Sequence, residues 1–179
     1  MNPSFATLAA AALLSACSMS PMTMGPSVDN AALPEAVRVP SGQTLRMVAT
    51  GVGEITYECR EKAAAAGQYE WAFVGPVATL YSADKRNVGK YYAGPTWEAS
   101  DGSKVTGKQL AVSPAAPGNI PMQLVKTDPA MGSGAMTGVT YIQRLNTKGG
   151  VAPGAPCDAA SKGRRQQVAY EADYAFYGA

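Results

Sequence analysis

The chain has 179 residues, enough for one domain with a real core. The 15 Lys and Arg against 13 Asp and Glu leave a net charge of +2, too weak a bias to point to nucleic acid or an anionic membrane face. With no histidine, His-based triads, His-ligated zinc or haem and the usual general base near neutral pH are excluded, and no cofactor is expected. Glycine (19) and proline (13) exceed their usual share, which favours turns over long helices.

Residues 5–16 (FATLAAAALLSA) form an apolar run too short to span a bilayer but of the right length for a secretory signal. Leu14-Ser15-Ala16-Cys17 follows, and small residues before a cysteine in this place resemble the lipobox of bacterial lipoproteins. That resemblance implies a signal peptide over 1–16, cleavage before Cys17 and acylation of Cys17, which would partner the protein with a membrane. Ser18, rather than Asp, leans towards the outer membrane. The segment MNPS lacks the usual Lys or Arg. The alternative is therefore an ordinary secretory signal with a chance cysteine, giving a periplasmic or secreted protein. Residues 17–43 carry prolines and serines without sustained periodicity and read, after Cys17, mostly as a flexible linker.

With Cys17 acylated, Cys59 and Cys157 remain as an even pair in an exported protein, which predicts a disulfide between them. A metal site or a thiol nucleophile is the weaker reading, because neither zinc spacing nor a His partner is present.

Through the body, alternation is the main signal. In 54–60, Ile55, Tyr57 and Cys59 share a face opposite Glu54, Thr56, Glu58 and Arg60. In 69–74, Tyr69, Trp71 and Phe73 alternate with Glu70, Ala72 and Val74. In 139–145, Val139, Tyr141, Gln143 and Leu145 alternate with Thr140, Ile142 and Arg144. The clearest run is 167–177, with Val168, Tyr170, Ala172, Tyr174 and Phe176 on one face. Weaker strands are expected at 44–50, 77–81, 88–93, 104–112 and 121–126. Only 60–67 (REKAAAAG) reads as helical, with Gly67 as a cap. Gly51-Val52-Gly53 and Gly132-Ser133-Gly134 read as turns. Asp84 and Asp101 open two similar segments, each a turn followed by a strand. The expectation is an all-β domain over 44–177, a single antiparallel sandwich or barrel of about nine short strands.

Several blocks together carry a family resemblance. They are Tyr57-x-Cys59, Trp71, Tyr92-Ala93-Gly94-Pro95-Thr96-Trp97-Glu98, Thr140-Tyr141-Ile142-Gln143-Arg144, Asn146-Thr147-x-Gly149-Gly150, Cys157 and Ala172-Asp173-Tyr174-x-Phe176-Tyr177. The chain resembles the secreted family catalogued as domain of unknown function 3455 over about 45–177. The resemblance implies export and one domain but no activity. A malate dehydrogenase label on some fungal members finds no nucleotide-binding fingerprint here. Two departures stand out: Tyr91 where members often have His, and Met122 where many have Trp.

Two groups are candidate ligand-binding residues. In the YAGPTWE block, Gly94-Pro95 breaks a strand and leaves Thr96, Trp97 and Glu98 near a bend after Tyr92. An aromatic beside a carboxylate can stack on a sugar ring and accept its hydroxyls. The bland reading is a packed corner. Gln143, Arg144 and Asn146 form the second group. A buried Arg144 needs a carboxylate, for which Glu98 and Asp173 are candidates, or else it binds an anion through its guanidinium fork. Glu98 and Asp101 as a glycosidase pair, and Lys162, Arg164 and Arg165 as a lipid-facing loop, are weaker. No catalytic or metal-ligating residue is assigned. The expected function is an exported, lipid-anchored cell-envelope protein whose non-catalytic β domain binds a small molecule, a glycan or a partner. The alternatives are a carboxylate-based enzyme acting on envelope or extracellular glycans, or a purely structural envelope component.

Overall fold

The computed structural model describes residues 27–179. Cys17 and the expected signal segment lie outside them. Eight strands make the fold: β1 (Thr44–Lys62), β2 (Ala65–Tyr81), β3 (Asn87–Tyr92), β4 (Thr96–Ala99), β5 (Lys104–Ser113), β6 (Met122–Thr127), β7 (Val139–Gly149) and β8 (Arg165–Gly178). Each pairs antiparallel with the next and β8 returns to β1, giving a closed up-and-down barrel. Closure gives the first and last strands a partner, while the short β3 and β4 leave residues 65–76 of β2 and 107–113 of β5 paired on one side only.

The expected all-β antiparallel domain is therefore present, as a barrel rather than a sandwich. Its strands are fewer and longer than the nine expected. The segments 44–50 and 54–60 are one strand, β1, and 69–74 and 77–81 are both part of β2. The short β4 was not foreseen. Gly51-Val52-Gly53 is the middle of β1 and not a turn. There the inward side chain of Tyr174 and the backbone of β2 come so close that no Cβ fits: at Gly51 it would lie 2.6 Å from a Tyr174 ring carbon, and at Gly53 2.0 Å from the Val77 carbonyl oxygen.

The helix expected over 60–67 is absent. β1 continues to Lys62, β2 begins at Ala65, and Arg60 and Glu61 pair with Glu70 and Tyr69. A two-turn helix gains little on its own, whereas lengthening a hairpin gives each residue a partner across the ladder. Gly67, with a positive φ of 77°, sits in the irregular start of β2 and donates its N–H to Glu61 Oε1 at 2.8 Å.

The inward face follows the alternation. Val168, Tyr170, Ala172, Tyr174 and Phe176 of β8 meet Ala49, Ile55 and Tyr57 of β1 and Leu80, Tyr91, Trp97, Val125 and Ile142 from the other strands. In β7 the register slips between Val139 and Tyr141, so Val139 and Ile142 both face inward although their sequence parity differs.

A second apolar cluster lies outside the barrel. Val37 and Val39 cover Leu124, Leu145, Ala175 and Tyr177, with Leu33 and Val28 beside them. Residues 30–39 are thus a packed strap containing two 3-10 turns, Asn30–Ala32 and Glu35–Val37, and not the flexible linker expected there. Gln143 fixes the strap: fully buried, it donates Nε2 to Val37 O at 2.6 Å and to Asn30 Oδ1 at 2.9 Å, and accepts the Tyr177 hydroxyl at 2.8 Å.

Cys59 and Cys157 form the expected disulfide, with Cα atoms 5.5 Å apart across a sequence separation of 98. It pins the β7–β8 connection to β1, helped by Trp71 Nε1 donating to Ala155 O at 2.8 Å. Lys162 of that connection pairs with Glu61, and Arg165 at the start of β8 pairs with Glu58.

Candidate functional site

The two ends of the barrel differ. One is closed by the β6–β7 connection, which folds back under the interior. Met131 pairs with Lys104, and Asp101 in the β4–β5 turn accepts from Ser103 N and Ala135 N. Ser103 Oγ accepts Met136 N at 3.1 Å. These bonds drive the fully buried Met136 side chain into the interior cluster as a plug.

The opposite end, where the β3–β4 turn and the β5–β6 connection meet, holds an open cavity of about 370 Å³. Its walls are mostly apolar, with Ile55, Phe73, Pro95 and Ile120 among them, and its polar groups are Tyr57, Tyr91, Gln109, Gln123 and Arg144. The strand period places them: Gln123, Arg144 and Tyr174 stand abreast on β6, β7 and β8 and all face inward.

Arg144 is the one charged residue of the lining. Its Nε and Nη2 both donate to the Pro121 carbonyl oxygen, at 3.2 and 2.9 Å. It takes part in none of the ion pairs among the described residues. Beneath it lies an aromatic floor. Tyr91 stacks on Trp97 with ring centroids 4.7 Å apart, both rings lean on Tyr174, and the Tyr170 and Tyr174 hydroxyls share a bond of 3.2 Å. Burial pushes the Tyr57, Tyr91, Tyr170 and Tyr174 phenols up, Tyr170 to about 12, and the positive charge of Arg144 pulls each partly back. All four are therefore neutral hydrogen-bonding groups at physiological pH. At the rim Phe73 is 58 % exposed, its ring edge-on to Tyr57 at 6.1 Å.

The seven candidate ligand-binding residues are dispersed, and only Arg144 lines this cavity. Trp97 is 1 % exposed and fills the interior, and Thr96 is buried beside it. Tyr92 and Glu98 stand together elsewhere: Tyr92 Oη donates to Glu98 Oε2 at 2.7 Å and Lys90 Nζ lies 3.2 Å from Oε1. The Tyr92 hydroxyl and then Lys90 hold the Glu98 carboxyl below its usual range. Gln143 serves the strap. Asn146, at a positive φ of 48°, donates to Asp173 Oδ2 at 2.8 Å, while Thr50 donates to Oδ1 at 2.8 Å. Neither expected carboxylate reaches Arg144, because Glu98 and Asp173 are satisfied by these other groups. Glu98 and Asp101 do not share a cleft, since Asp101 is spent on the loop that carries the plug.

The sequence reading missed Phe73, Tyr91, Gln109 and Gln123 as site residues. Alternation placed Phe73 on a strand face, but nothing local marks Gln109 and Gln123, which meet through the pairing of β5 with β6. Gln123 Nε2 donates to Gln109 Oε1 at 2.6 Å across neighbouring strands.

Fold and site together define an eight-stranded antiparallel barrel with one plugged end and one open end, whose cavity is lined among the described residues by one charged side chain, Arg144. The chain belongs to the family described as Protein of unknown function (DUF3455), which it matches over residues 40–178. No curated protein and no solved structure matches it.

Proposed function

We propose that this is an exported, lipid-anchored envelope protein whose barrel binds a small ligand in the open mouth without transforming it. The observation that carries the reading is the asymmetry of the ends. One is sealed by Met136, whereas the other keeps a cavity of about 370 Å³, within the range of small-molecule sites, around an arginine in no ion pair. A barrel of eight strands has room for one small ligand at most once its interior is partly filled. No Asp or Glu among the described residues lines the cavity, which favours binding over carboxylate chemistry. Anchoring rests on the lipobox-like residues before Cys17, and the outer membrane on Ser18.

Two readouts test this. In cells, Cys17→Ala should abolish acyl labelling and release the protein from membranes, and unchanged retention contradicts the anchor. In solution, a mixed library of charged and neutral fragments should shift the amide resonances of Tyr57, Tyr91, Gln109 and Gln123 and leave those of 128–138 in place. Hits scattered over the surface, or none, contradict the binding reading.

A further inference from the structure

Resting on that reading, we infer that the mouth selects a small amphipathic monocarboxylate, its carboxylate on Arg144 and its apolar body against Phe73 and Ile120. The argument begins with the donors. Pro121 O occupies Nε and one Nη2 hydrogen of Arg144, leaving both Nη1 hydrogens and the second on Nη2. That free end is the fork a carboxylate accepts with two parallel bonds.

The charge count comes next. No Lys or second Arg among the described residues lines the cavity, so one negative charge is balanced and two are not. A phosphate monoester brings about two near neutral pH and would leave a part-buried excess. A cation would face Arg144 directly. A neutral ligand can accept hydrogen bonds from the guanidinium but would leave its desolvated charge unbalanced.

Size and the rim fix the rest. The cavity of about 370 Å³ holds roughly a dozen waters at ~30 Å³ each. Phe73, more than half exposed at the rim, is an aromatic surface that an apolar body would cover.

The test is ligand-observed NMR titration of the full chain with matched sets of probes: aromatic and branched aliphatic monocarboxylates, their neutral amides, the corresponding primary amines and aryl phosphates. Acids should bind about tenfold or more tightly than their amides, the scale of a charge-assisted pair. In Arg144→Gln that ratio should fall to about one, and Arg144→Lys should keep part of it. Phe73→Ala, at an exposed position, should weaken acids and amides alike and leave the ratio intact. Amides or amines binding as well as acids to the native protein, or a ratio that survives Arg144→Gln, would overturn the carboxylate assignment while leaving mouth binding standing. Phosphates preferred over carboxylates would overturn the single-charge argument. Saturable binding by no probe of any charge would remove the mouth-binding reading itself.

Discussion

Arg144 shows how one residue can be legible in type and misread in partner. Its position on a partly apolar strand face, shared with Thr140 and Ile142, marks it as a charge needing compensation if buried. Which group compensates depends on distant chain, and the pairing of β6 with β7 brings a backbone carbonyl, Pro121 O, in place of the expected acids. The phenols around it make a test at the same scale. Burial favours their neutral form in the fold, so Tyr170 is raised from 10.0 to about 12 while the unfolded chain keeps the ordinary value. The sign follows from linkage: this contribution is full below pH 10 and is lost as pH rises through about 12. Absorbance titration of phenolate should therefore lag behind free tyrosine and coincide with loss of the barrel's far-UV signal near the upper value. Full ionisation of the tyrosines at pH 10 to 11 with the fold intact contradicts the buried floor.

At the scale of elements, period-two patterning was sufficient wherever one face meets the core and the other meets water, as in β8. It failed where both faces are covered or where glycine interrupts. Tyr174 to Gly178 is buried on every residue, because the strap lies over the outer face there. The strap itself, rich in Pro and short of periodicity, has no local signature of packing. Its order comes from Gln143 and from Val37 and Val39. Gly51 and Gly53 look like punctuation and are in fact points of close approach between β1, β2 and Tyr174. Gly53→Ala places a methyl on the β2 backbone and should cost about 1–3 kcal/mol, the range for overpacking, or more if β2 cannot yield. Urea denaturation of the oxidised protein measures it. A loss below ~0.5 kcal/mol would show that β1 and β2 are further apart than described. Gly67→Ala at the exposed start of β2 is a control without a nearby atom, strained only through its φ of 77°.

At the scale of the molecule, three devices hold one shape: ladder closure between β1 and β8, the Met136 plug, and the Cys59–Cys157 link that ties the β7–β8 connection to β1. In the chain-entropy argument, a crosslink over roughly 100 residues contributes about 4.7 kcal/mol. The fold class and the disulfide were legible because both rest on local or countable features. The mouth was not, since its lining comes from six strands and the connections between them, and no short window contains more than a few of its residues. The seven candidate residues were chosen by chemical type and by neighbourhood in sequence. The barrel sends their side chains to the interior, the strap, the outer surface and the mouth.

The central claim is that the open mouth holds an arginine awaiting an anionic ligand. It is tested most directly by a crystal structure of the oxidised protein purified from its native host. The account predicts electron density for a small molecule bridging the Arg144 guanidinium and the Phe73 ring, above an intact Tyr91–Trp97 stack. A mouth packed shut by its own side chains, with Arg144 paired to a carboxylate of the same chain, would contradict it.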